Sequence, residues 1–181
     1  MSRMVGLSRN IKLEWLDKVA ELAIDNCDRE EAKKELNAYI SLYISSAINI
    51  RKTREILLNI WFDDENVRKE IRDEAIKVYL SANESEKKLV HWCLMLERYR
   101  VFEDTSHLIG SLYDKQNSMK IGTIREKVFD NWGERATLFH SLDKIVRTMK
   151  DLKALKKVKY GDYTVNKVKV GTDFANLIVM T

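Results

Sequence analysis

At 181 residues the chain has room for one globular domain or two small helical modules sharing a core. A hydrophobic share of 45% beside 33% charge excludes a disordered or low-complexity protein, while a net charge of +4 excludes no class of partner by itself. Proline is absent and glycine occurs only six times, so the chain has few breakers and long helices are the expectation.

Ile11 to Asn26 carries Ile11, Trp15, Leu16, Val19, Leu22 and Ala23, the stripe of one helix. Asp28 followed by Glu31 is a capping pair for a second helix from about Arg29 to Tyr39, because the Asp side chain can accept from the free N–H groups of the first turn. The apolar, serine-rich stretch 40–47 has no clear period. A third helix, about Asn49 to Phe62, turns Ile50, Leu57, Ile60 and Trp61 inward and carries Arg51, Lys52 and Arg54 near its start. Asp63 and Asp64 stand where acids favour the positive end of a fourth helix, which runs to about Ala82 with Val67, Ile71, Ala75, Val78 and Tyr79 as its buried row. Asn83 ends that helix, and Ser85 is the expected cap of a fifth, Glu86 to about Arg100, apolar nearly all round and the candidate central element. A sixth helix spans about Phe102 to Asp114.

The remainder reads differently. Lys120 to Asn131 is a short helix stopped by Gly133. Leu138, Phe139, Leu142, Ile145, Val146, Met149 and Leu152 then mark a long amphipathic one. After Leu155 the period changes: Val158, Tyr160, Tyr163, Val165, Val168 and Val170 around Gly161-Asp162 predict a β-hairpin, and Ala175 to Met180 could add a strand. Helix, glycine turn, long helix and hairpin is the layout of a winged helix-turn-helix. The expected organisation is therefore an all-α bundle over 1–116, with a candidate helix-turn-helix in its second and third helices. A basic winged-helix-like module with a small β-hairpin would occupy 117–181, packed on the bundle.

Charge is segregated in the same way. Residues 144–170 hold nine Lys or Arg against two acids, and the rest of the chain is net acidic, a footprint that points toward a polyanion. On the long helix His140, Lys144 and Arg147 recur opposite the apolar stripe, where a helix entering the major groove needs polar groups. Lys150, Lys153, Lys156, Lys157 and Lys159 extend the positive surface into the hairpin, and flexible lysines suit phosphates. With Arg51, Lys52 and Arg54 these are the candidate DNA-binding residues. The competing reading is a solvated lysine-rich face, for which Asp151 and Asp162 speak.

Catalysis finds little support. His91, His107 and His140 fall singly, without ligand spacing; His91 reads as a core residue. No Gly-rich phosphate loop, HExxH or GxSxG occurs. The acidic triplet at Asp63 is explained by a helix start, and Trp15, Trp61, Trp92 and Trp132 fall on apolar stripes, although Trp132 could face a partner. No enzyme, metal or cofactor is expected. Cys27 and Cys93 read as buried hydrophobes of a reducing compartment. With no signal-like start and no apolar run near the ~18 residues that cross a bilayer, the expected location is the cytoplasm, away from membranes.

Three stretches carry a family resemblance: Asn49 to Leu57, His91 to Phe102, and Ile145 to Leu155 with its hairpin. They resemble the BrxA family, small components of the bacteriophage-exclusion (BREX) defence systems of bacteria and archaea, over roughly Leu7 to Val170. The resemblance implies a compact NusB-like helical bundle that binds double-stranded DNA and has no catalytic site. It also implies larger partners: a methyltransferase, an ATPase and a phosphatase-like protein. The helix starting near Asn49 and the basic C-terminal module are the regions it turns toward DNA. The alternatives are an adaptor that assembles the defence proteins and a regulator of their operon.

Overall fold

The computed structural model describes residues 6–62 and 69–181. The Asp63-Asp64-Glu65 triplet, Val67 and the expected start of the fourth helix lie outside them. The chain is mostly helical, with a small antiparallel sheet, and divides into two compact units, each built from two pieces of sequence.

The helical unit comprises Ile11–Arg98 and Val168–Thr181. Its helices are α1 Leu13–Ile24, α2 Arg29–Ser41, α3 Ala47–Trp61, α4 Lys69–Ser81 and α5 Glu84–Arg98. Asp28 caps α2 as the sequence predicts, its Oδ1 accepting from the N–H groups of Glu30 and Glu31 at 2.9 Å. The cap of α5 is Asn83 rather than Ser85. Asn83 Oδ1 accepts from Ser85 N and Glu86 N, and Glu86 reaches back to Asn83 N at 3.0 Å, so a reciprocal capping box starts the helix two residues early. The stretch without a period resolves into the last turn of α2, a connection over 42–46 and the first turn of α3. The core takes Leu16 and Val19 from α1, Leu36 and Ile40 from α2, Leu57, Ile60 and Trp61 from α3, and Val90, Leu94 and Met95 from α5.

The returning segment forms a 3-10 turn, Thr172–Phe174, and a short helix, α9 (Ala175–Met180), where a strand was expected. The reason is packing: Phe174 and Leu177, three apart, are both buried, and α9 lies against α4 and α5 while Ile178 and Val179 stay exposed. A strand would alternate these residues between two faces, whereas the site offers one.

The winged unit comprises residues 6–10 and Tyr99–Lys167. It contains α6 Arg100–Gln116, β1 Met119–Lys120, α7 Ile121–Trp132, α8 Ala136–Asp151, β2 Leu155–Lys159 and β3 Asp162–Val165. The three strands are antiparallel in the order β1-β3-β2. The boundary thus falls at Tyr99, not at 116/117, because α6 buries Val101, Phe102, Thr105 and Ile109 against the elements that follow it. Trp132 is core, its indole N–H donating to Asp104 at 2.9 Å. The hairpin turns at Tyr160-Gly161, one residue earlier than expected, with a register shift at Val158; Val168 and Val170 lie beyond it. Gly161 has φ 77°, and Gly133, between α7 and α8, has φ 78° and ψ 144°, a region open only to glycine.

Helix α8 ends with a residue that ordinarily would be glycine. The N–H of Ala154 donates to Met149 O and that of Lys153 to Lys150 O, both at 2.9 Å, which is a Schellman closure with Lys153 at φ 58°. A side chain in the left-handed region costs about 1 kcal/mol. Lys153→Gly is therefore expected to stabilise the fold by about 1 kcal/mol, raising Tm by about 2–4 °C in a thermal melt. A melting point that falls instead would contradict this account of the turn.

Candidate nucleic-acid interface

Helix α8 has a sharply divided surface. Leu138, Ser141, Leu142, Ile145, Val146, Thr148 and Met149 are buried, while Thr137, His140, Arg147 and Lys150 are exposed. The order α6–β1–α7–α8–β2–β3, with β3 between the other two strands, is the topology of a winged helix-turn-helix. Here α8 stands in the place of the groove-entering helix, and the β2–β3 hairpin in that of the wing. Strand β2 is an edge: after the buried Leu155, residues Lys156, Lys157, Val158 and Lys159 are all exposed.

The predicted cations fall into two groups. Lys144 and Arg147 share Asp143, at 3.8 and 3.2 Å, so part of the charge on the outer face of α8 is neutralised locally. Lys159 pairs with Asp162 at 3.3 Å across the turn. By contrast Lys150, Lys153, Lys156 and Lys157 have no acidic partner among the described residues. Lys150 rests over the ring of Tyr163 (5.5 Å) and Lys157 over that of Tyr160 (5.7 Å), contacts that orient an ammonium without cancelling its charge. Asp151, which weighed against a nucleic-acid face, is engaged by Asn10 Nδ2 at 3.0 Å.

Arg51, Lys52 and Arg54 belong to the helical unit. Arg51 and Lys52 are exposed on α3. Arg54 is not an available cation: its side chain is only 13% exposed, bonded to Glu55 at 2.7 Å and to Asn37 at 3.0 Å. The connection between α2 and α3 covers five residues, 42–46, longer than a helix-turn-helix turn.

Two groups escaped the sequence reading. Tyr160 stands at the hairpin tip with 94% of its surface exposed. Arg125 on α7 lies 4.2 Å from the ring centre of Phe139 on α8, and its buried Nε has no hydrogen-bond partner. A lone arginine in an amphipathic helix carries no signal of either fact, but a tyrosine beside the turn glycine of a hairpin does mark an exposed tip.

His91 is fully buried in the helical unit, with Trp61 Nε1–H donating to its Nδ1 (3.3 Å) and its Nε2 set against Asp17 Oδ1 (3.0 Å), which also accepts from the Tyr79 hydroxyl at 3.0 Å. Cys93 is buried, and burial pushes its thiol up from the usual value; Cys27 is half-buried at the end of α1. Among the described residues no three His, Cys, Asp or Glu gather to hold a metal ion, and no helix is long and apolar enough to cross a membrane. No family model, curated protein or solved structure matches the chain.

Proposed function

We propose that this protein is a non-catalytic, double-stranded-DNA-binding component of a bacteriophage-exclusion system. It works in the cytoplasm beside the methyltransferase, ATPase and phosphatase-like protein that the family resemblance implies. The observation that carries the reading is the row Lys150, Lys153, Lys156 and Lys157. These cations, without acidic partners among the described residues, run from the last turn of α8 into the edge strand of a winged-helix topology. Such a row suits phosphates, whose recognition needs charge at the right spacing rather than fixed hydrogen-bond geometry. The outer face of α8, partly neutralised by Asp143, suits weak base discrimination. Binding is therefore expected to be strongly salt-dependent and nearly indifferent to sequence.

The test is a fluorescence-anisotropy titration of unrelated duplexes across a range of salt. Saturable binding to all of them, weakening steeply with salt, is the expected result. No binding even at low salt overturns the DNA reading.

An adaptor reading is favoured by a different observation. Leu42, the first residue of the α2–α3 connection, and Ile48, in the first turn of α3, have 77% and 62% of their surfaces exposed, apolar groups of the kind that protein contacts cover. Retention of an operon neighbour by wild type, lost in Leu42→Ser with Ile48→Ser, is its test.

A further inference from the structure

We propose that a cavity of about 210 Å³ lined by α7, α8 and β3 of the winged unit binds a small organic anion with an apolar body, and that this ligand competes with DNA for α8. The competition rests on the DNA-binding reading above; the site itself does not.

The cavity joins two kinds of surface. Ile124, Leu142 and Val146, all core residues, present apolar walls. Around them stand Arg125, Arg147 and Lys150 against a single carboxylate, Asp143. Asp143 is already engaged by Arg147 at 3.2 Å, which leaves Arg125 and Lys150 as the uncompensated charges. Both are held by aromatic faces: Arg125 over Phe139 at 4.2 Å, Lys150 over Tyr163 at 5.5 Å, with Tyr163 itself lining the cavity. A cation fixed in this way keeps its outward N–H donors for a ligand.

These features select the ligand class. Donors without acceptors call for an anion, and a guanidinium fork suits a carboxylate in particular. The apolar walls call for a hydrocarbon body, which free phosphate lacks and which a backbone phosphate of DNA could not bring into the cavity. A ring-sized carboxylate satisfies both. Arg147 and Lys150 also belong to the exposed side of α8, so a ligand drawing on them removes charge from the DNA-facing surface.

Calorimetric titration of the full chain with benzoate, cyclohexanecarboxylate, benzamide and inorganic phosphate tests the site without DNA. At least one of the two carboxylates is expected to saturate with Kd on the order of 1 mM or tighter. Benzamide and phosphate should bind at least about tenfold more weakly, and Arg125→Gln and Lys150→Gln should each cost about tenfold, near 1.4 kcal/mol. Lys150 is exposed, so its variant remains informative if Arg125→Gln disturbs the fold. No saturable carboxylate binding, equal binding of benzamide or phosphate, or indifference to both substitutions overturns the site. A saturating carboxylate should lower duplex affinity in anisotropy. Carboxylate and duplex both binding without mutual effect overturns the competition, whereas carboxylate binding with no duplex binding at any salt overturns the DNA reading and upholds the site.

Discussion

Replacing Lys153, Lys156, Lys157 and Lys159 together by glutamine will weaken duplex binding on the order of 10²-fold near about 0.1 M salt, and about equally for every sequence. Each lysine that meets a phosphate adds about 0.9 to the slope of log affinity against log salt. Four deletions would flatten that slope by roughly 4, but Lys159 is paired with Asp162 at 3.3 Å and contributes little net charge. The expected flattening is therefore roughly 3, and Lys159→Gln alone should leave it nearly unchanged. The variant also separates two reasons for lysines on this strand. β2 is a sheet edge, and charged side chains there prevent pairing with other chains. If edge protection were their whole role, the variant would self-associate while holding DNA as well as wild type. A gel-shift titration at several salt concentrations, with light scattering on the same samples, distinguishes the outcomes. Unchanged affinity and slope would remove the lysine row from the site.

What was legible in the sequence follows a physical division. Local signals are readable because the residue carrying them acts within a few positions. Asp28 caps its own helix, Gly133 stops α7, and Gly161 turns the hairpin. The paired strands and the long helix α8 were visible for the same reason, since a change of hydrophobic period is local. Elements decided by distant partners were not. β1 is two residues long and exists because Met119 and Lys120 pair with Tyr163 and Asp162. α9 is an apolar run whose conformation depends on its packing against α4 and α5, with Leu177 buried. The unit boundary at Tyr99 was hidden because α6 resembles the preceding helices and differs only in what it packs against. The site divides likewise. The basic row was readable as composition, and the neutralising pairs Arg147–Asp143 and Arg54–Glu55 are near enough in sequence to have been suspected. The cavity was not, since Arg125, Lys150 and Tyr163 meet only through the packing of three elements.

The buried histidine supplies the largest expected effect on stability. Trp61 offers only a donor, so Nδ1 of His91 must be the acceptor and the ring proton sits on Nε2, donated to Asp17. Protonating His91 would set a second N–H against that of the indole. Burial holds its pKa below the usual 6.5, although Asp17 pulls the other way. For Asp17 burial is the largest single influence and acts upward, but the hydrogen bonds from His91 and Tyr79, with nearby positive charge, outweigh it and leave the carboxyl below 3.8. In the unfolded chain His91 takes up its proton near 6.5, whereas the folded protein resists until lower pH. The unfolded state thus binds more protons across that window, and stability falls as pH drops through it, by up to about 1.4 kcal/mol per pH unit. Asp17 adds a second loss further down, as pH falls through its depressed folded value. Urea unfolding from about pH 8 to about pH 5 will show the slope, and His91→Gln, which cannot titrate, will flatten it. His91→Phe keeps the bulk but strands the Trp61 N–H and takes a donor from Asp17, at an expected cost of about 2–5 kcal/mol near neutral pH. A slope that survives His91→Gln would mean that the acid sensitivity of the fold arises elsewhere.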